Sequence, residues 1–243
     1  MIILALMTDA MKTAWVTGAG SGVGRATADA LGALGWRVVL SGRRTDALSE
    51  TARLVRDAGG TPVELPFDVG SDDPRVALPT IGDRLDALVL AAGLNHPRRA
   101  WADQGMADFE AVVQTNLLGV VRAVDASLPA LRAASGVVVV VSSIAGWRPA
   151  PGAGVAYSAS KTALAPIVRT INDQEAGAGV RATHLCPGDI DSDFLQQRPT
   201  VPDAAARAVM LTPADVADAA LYAITAPSHV RIDELVLSPV SQR

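Results

Sequence analysis

Thr13-Ala14-Trp15-Val16-Thr17-Gly18-Ala19-Gly20-Ser21-Gly22-Val23-Gly24 passes from an apolar, β-prone stretch straight into a glycine-rich turn. The first five residues read as a short buried strand, and the segment after the turn as a helix over 22–34. Glycines at such a junction let the backbone turn sharply and approach a pyrophosphate closely. The helix behind them offers free N–H groups and the positive end of its dipole. Glycine also marks ordinary loops, so the weight lies in the context: strand before, helix after. The spacing is Gly-x-x-x-Gly-x-Gly rather than Gly-x-Gly-x-x-Gly, and the absence of a following Lys-Ser/Thr argues against a P-loop.

Working outward, apolar runs and helical patterns alternate along the whole chain. Strands are expected near 13–17, 37–41, 61–66, 86–91, 136–142, 181–185 and 232–238. Helices are expected near 22–34, 45–58, 102–114, 116–134, 155–176 and 213–225. This alternation builds βαβ units and a parallel α/β sheet. Pro74 and Pro79 lie between Asp68 and Asp86, so any helix there is brief or broken. Residues 189–212 carry prolines and charges without periodicity, as an active-site lid beyond a strand end would.

The second strand closes on Arg43-Arg44, where an NAD binder would place an acidic residue for the ribose 2′-hydroxyl. A guanidinium suits a 2′-phosphate, so NADP(H) is favoured over NAD(H). The alternative is an ordinary solvated basic pair. Asp68-Val69 follows the third strand; its carboxylate can accept from an adenine amine or simply begin a turn.

The bulk composition excludes several classes. The 243 residues are 49% hydrophobic with a net charge of −4 and no basic run beyond Arg43-Arg44 and Arg98-Arg99, so no nucleic-acid partner is expected. The single cysteine, Cys186, rules out an internal disulfide framework and fits a reducing cytoplasm. His96, His184 and His229 are scattered and form no metal motif with the cysteine. Residues 1–11 read as a poorly ordered leader, too short and not basic enough for a signal or membrane segment. The remainder, 12–243, reads as one domain with no membrane span.

Lys12 and Lys161 are the only lysines, and Lys161 stands four residues after Tyr157, one of two tyrosines. Residues i and i+4 share a helix face. An ammonium beside a phenol stabilises the phenolate, lowering a pKa that is about 10 when unperturbed. The pair is then a proton donor or acceptor usable near neutral pH. Alone, it is equally read as a chance helical neighbour pair.

Together these motifs resemble the short-chain dehydrogenase/reductase family, in its classical form, from about Thr13 to Leu237. The resemblance implies a single doubly wound Rossmann-type domain with a mostly seven-stranded parallel sheet flanked by helices. Gly18, Ser21, Gly22, Val23 and Gly24 fall in its coenzyme turn, Asp68 with Val69 at its adenine contact, and Ala92 and Gly93 at the end of its fourth-strand motif. Pro187, Gly188, Ile190 and Ser192 lie in a segment similar to the one that touches the nicotinamide. Asn116, Ser143, Tyr157 and Lys161 match its catalytic residues, Tyr157 and Lys161 also touching the coenzyme. The tail from Val230 to Val240 resembles an NADP-dependent subgroup that includes 3-hydroxy acid dehydrogenases.

The chain departs from the pattern in places. Leu90 and Ala91 replace asparagines, Ser192 replaces threonine, and Ser143 to Tyr157 is one residue longer than the commonest spacing. Pro166 falls inside the Tyr157 helix and is expected to kink it at the Thr162 carbonyl. The resemblance further implies carbonyl–alcohol interconversion on a small-molecule substrate, with Tyr157 as acid or base, Ser143 orienting the substrate oxygen, and Lys161 holding the Tyr157 pKa down. Asn116 would position a water for proton recovery. It also implies a homotetramer or homodimer built on the 102–134 and 155–176 helices and the C-terminal strand. An NAD(H) enzyme and a non-catalytic dinucleotide-binding regulator are the alternatives; a Ser-His-Asp hydrolase is set aside because no Gly-x-Ser-x-Gly elbow exists. Asn95, His96, Trp147, Arg148 and Phe194 lie in loops where substrate would sit. Arg98, Arg99 and Arg148 are candidates to meet a carboxylate or phosphate, though each is first read as a solvated loop residue.

Overall fold

The computed structural model describes residues 11–242; the leader expected over residues 1–11 lies, Met11 apart, outside them. β1 (Thr13–Thr17) delivers the chain to the glycine turn, and α1 (Gly22–Ala33) leaves it. β2 (Arg37–Gly42), α2 (Thr45–Asp57) and β3 (Thr61–Pro66) complete the first half. The proline-bearing stretch holds only a short 3₁₀ turn and a one-turn α3 (Leu78–Ile81) before β4 (Ala87–Leu90). Then come α4 (Met106–Val113), a π turn (Gln114–Leu118), α5 (Gly119–Ala134) and β5 (Val137–Val141). α6 (Ile144–Trp147), α7 (Val155–Thr162), α8 (Leu164–Gln174) and β6 (Arg181–Pro187) follow. The chain ends in α9 (Ala204–Arg207), α10 (Pro213–Thr225) and β7 (Glu234–Leu237).

The seven strands form one sheet in the order β3-β2-β1-β4-β5-β6-β7, every neighbouring pair parallel. This is the parallel sheet that the strand–helix alternation predicts, in the doubly wound, Rossmann-type form that the family resemblance implies. Helices cover both faces, so central strands read as unbroken apolar runs. Val137–Val141 shows it: Val137, Val139 and Val141 pack with Ala14, Val16 and α10 residues, while Val138 and Val140 pack with Trp15 and the α8 residues Leu164 and Val168. Trp15 stays buried because its indole N–H donates to Ser41 Oγ at 2.7 Å. The strand order reverses between β1 and β4, which opens a crevice beyond their carboxyl ends.

Several boundaries differ from the sequence reading, among them the start of α4, at Met106 rather than 102. The helix expected over 155–176 breaks at Ala163, between α7 and α8. Pro166 has no N–H for the Thr162 carbonyl, and its ring crowds that carbonyl, so the break falls where a kink was expected. The helices expected over 102–114 and 116–134 are joined by the π turn that carries Asn116, with no loop between them. β6 runs on to Pro187, while β7 is shorter than 232–238.

Candidate active site

A cleft of about 750 Å³ occupies the crevice. Its floor begins at the glycine turn. Gly18 has φ +66°, and a Cβ there would stand 2.7 Å from the Ala92 nitrogen, so only glycine lets β1 and the end of β4 close up. Ser21, Gly22 and Val23 line the cleft at the start of α1; Gly24 does not, being packed beneath against the Gly18 carbonyl. Gly24 serves the close fit of helix to turn.

Arg43, Arg44, Asp68 and Val69 line the same end. Asp68 begins a turn, as its alternative reading had it: Oδ1 accepts from Gly70 N at 2.9 Å. Its other oxygen faces Arg43 Nη1 at 3.9 Å, in a loose, exposed pair.

Ala92, Gly93, Ser143, Tyr157 and Lys161 line the middle, with Pro187, Gly188, Ile190 and Ser192 opposite. Ser143 caps α6, its Oγ accepting from Ala145 N at 3.2 Å, and the same hydroxyl hydrogen-bonds the Tyr157 phenol. Lys161 is buried, and its ammonium donates to the Val141 carbonyl at 2.8 Å while lying 5.8 Å from the Tyr157 ring centre. Asn116 lies just behind the cleft wall, fully buried. Its amide donates to Leu94 O at 2.8 Å and Ser160 Oγ at 3.1 Å, and accepts from Leu94 N at 2.7 Å. Its side chain is thereby a clamp between the β4 loop and α7.

The electrostatics depart from the expected pairing. Burial pushes the Tyr157 phenol above its ordinary value, and the Ser143 hydrogen bond and the cations Arg198 and Arg99 pull it back in part. Burial also lowers Lys161, to about 8.

Of the loop residues singled out in the sequence, Asn95, Arg99 and Phe194 line the cleft. Arg98 and His96 turn instead to Asp108, at 3.0 and 3.5 Å. Trp147 and Arg148 are not among the lining residues. Gln197, Arg198 and Gln242, absent from the sequence reading, are. The 189–212 segment is pinned at both ends, by Asp191 N to Leu211 O at 2.8 Å and Leu211 N to Asp189 O at 3.0 Å. Between the pins a 3₁₀ turn (Asp193–Gln197) presents Phe194, whose ring centre lies 6.0 Å from that of Tyr157.

Beside the site, His184, Cys186 and Glu234 converge within 4.8 Å although no motif announces them. Hydrogen bonds hold them: His184 Nδ1 to Glu234 Oε1 at 3.0 Å, Cys186 Sγ to His184 Nδ1 at 3.3 Å. Burial pushes the Cys186 thiol up to about 12, so at neutral pH it is an inert packing group.

Comparison with known proteins agrees with this geometry. Residues 12–202 match the short chain dehydrogenase family. An uncharacterized oxidoreductase of Staphylococcus aureus is 32% identical, over 98% of this chain and all of its own length. An alcohol dehydrogenase from the archaeon Thermococcus sibiricus, solved with 5-hydroxy-NADP, superposes with TM-score 0.85 at 30% identity, covering 96% of this chain and 98% of that one. A serine dehydrogenase in its closed form with NADP+ superposes with TM-score 0.83 at 28% identity, covering 95% and 96%. The chain belongs to the short-chain dehydrogenase/reductase family and is an oxidoreductase acting on CH–OH and C=O groups.

Proposed function

We propose that the chain is an NADP(H)-dependent oxidoreductase interconverting a carbonyl and a secondary alcohol, with Tyr157 as general acid and base. The observation that carries this is one cleft with the glycine turn at one end and the hydrogen-bonded Ser143–Tyr157 pair beside buried Lys161 at the other. The residues present fit a dinucleotide. The turn from Gly18 to Val23 with the α1 N-terminus suits a pyrophosphate. Asp68 and Val69 border the adenine end, and Arg43 and Arg44 suit a 2′-phosphate. Lys161 with Tyr157 would hold the nicotinamide ribose, and Ala92, Gly93, Pro187, Gly188, Ile190 and Ser192 would flank the ring. NADP or a derivative in both structural relatives supports the phosphorylated coenzyme.

Once bound, the nicotinamide supplies or accepts the hydride. The chain's own residues handle the oxygen and its proton. Ser143 donates a hydrogen bond to the substrate oxygen and fixes its direction. Tyr157 gives its proton to that oxygen as charge develops; its burial-raised pKa keeps the proton in place until then. Lys161 adds positive charge behind the phenol, and Asn116 holds the Leu94 and Ser160 walls in register. The reverse reaction uses Tyr157 as base. The homotetramer or homodimer expected from the family is also part of the proposal, supported by the exposed apolar Met106 on α4 and Val121 on α5.

Coenzyme preference tests the reading: a carbonyl panel is followed by oxidation of NADPH and of NADH, in wild type and Arg43→Ala. Wild type should prefer NADPH, and Arg43→Ala should lose about 10- to 100-fold in NADPH kcat/KM, the value of a charge-assisted bond. Equal use of both coenzymes by wild type contradicts the Arg43 and Arg44 assignment.

A further inference from the structure

Two cations share the Tyr157 end of the cleft, and among the described residues one of them has no ion-pair partner. Arg99 and Arg198 both line it, and both pull the Tyr157 phenol down. Each therefore stands within electrostatic reach of the reacting oxygen, and Arg99 is lowered first by burial and then by repulsion from Arg198. Arg198 is bound to Asp189. Among the described residues Arg99 has no such partner: its Nε is buried without a hydrogen bond, and no carboxylate is among the groups that shift it. Its neighbour Arg98 shows the ordinary fate of an arginine in this loop, neutralised outside the cleft by Asp108.

The placement of Arg99 is built in. Gly154, at the head of α7, has φ +91°, and a Cβ there would stand 2.7 Å from Arg99 Cβ and 3.0 Å from its carbonyl. Only glycine lets the β4 loop press so closely on the helix that carries Tyr157. Asn95 ties the same loop to two others, donating from Nδ2 to Ala153 O at 3.0 Å and from its backbone to Gln197 Oε1 at 2.6 Å. Two like charges packed beside an acid–base phenol cost free energy unless an anion joins them. The coenzyme's phosphates have their own partners at the far end, in the glycine turn and Arg43-Arg44.

Resting on the oxidoreductase reading above, we infer that the substrate is an oxo or hydroxy acid whose carboxylate sits between Arg99 and Arg198. Asp189 already offsets Arg198, so Arg99 is the guanidinium left to pair with a substrate anion, and a monoanionic carboxylate suffices for it. A guanidinium pair binds the planar carboxylate and thereby sets the distance from the acid group to the carbonyl held by Ser143 and Tyr157.

The test uses pyruvate, acetoacetate and levulinate, each beside its methyl ester, in NADPH-linked turnover and in calorimetric titration of the NADPH-loaded protein. Tyr157→Phe is the turnover blank. At least one acid should exceed its ester by about 10- to 100-fold in kcat/KM and in affinity. In Arg99→Gln and in Arg198→Gln that acid-to-ester ratio should fall to within about threefold of one. Tyr157-dependent turnover of esters and acids alike overturns the anion anchor and leaves the oxidoreductase reading standing. Acid binding that needs Arg99, with no turnover of any compound, upholds the anchor and overturns the catalytic reading. Neither turnover nor acid-selective binding overturns both.

Discussion

Lys161 is an ammonium in a dry place. Only 4% of it is exposed, its ammonium donates to the Val141 carbonyl, and desolvation brings it from 10.5 to about 8. A folded pKa below the unfolded one means that the unfolded chain binds more protons between pH 8 and 10.5, so this group makes stability rise with pH across that window. Below pH 8 its full destabilising cost, about 3 kcal/mol at 1.36 per unit, is present. Against that stands a lost hydrogen bond of about 1 kcal/mol. Lys161→Met should therefore raise Tm by about 2–8 °C at pH 7 while removing turnover, which thermal melts beside an activity assay check. A lowered Tm would mean the ammonium is stabilising where it sits. The catalytic sign follows from the same group. Reduction needs Tyr157 protonated and Lys161 charged, so reductive kcat/KM should be level through neutral pH and fall as pH rises through about 8. A profile flat beyond pH 10 would show that Lys161 is not the controlling group.

At the scale of elements, the glycine turn and the helix break carry the geometry. Gly18→Ala places a methyl against the Ala92 backbone at a left-handed φ, which should cost about 1–3 kcal/mol and weaken coenzyme binding in fluorescence titration. Unchanged stability and affinity would mean that β1 and β4 need not approach so closely. The β1–turn–α1 unit was legible because strand, glycines and helix are contiguous. Tyr157, Lys161 and Ser143 were legible because a helix spacing and a strand end put them on one wall. The break at Ala163 was half legible, since Pro166 announces a disturbance but not its length. The π turn at Gln114–Leu118 carries no compositional signal, so the seam joining the two expected helices was invisible.

Across the whole molecule, the substrate end is assembled by distance rather than by motif. Asn95 meets Gln197 over 102 residues, and Asp189 meets Gln242 over 53. No local pattern encodes such pairings; they follow from β4, β6 and the chain end all emerging at the same edge of one sheet. For the same reason Arg99 reads from the sequence as a solvated loop residue, and Arg198 is not singled out there at all. Burial raises the phenol, and Ser143, Arg198 and Arg99 draw it back in part, the two arginines being cations beyond the Lys161 that the helix spacing pointed to. No described helix is long and apolar enough to cross a membrane. The most direct measurement is the pair kcat and coenzyme Kd for Tyr157→Phe beside wild type, with whichever carbonyl wild type reduces. If Tyr157 is the acid, kcat falls by about 10²–10⁴-fold while Kd for NADPH rises by no more than about tenfold, the loss of one ribose hydrogen bond. Full turnover in Tyr157→Phe, or a loss explained wholly by lost coenzyme binding, would contradict that role.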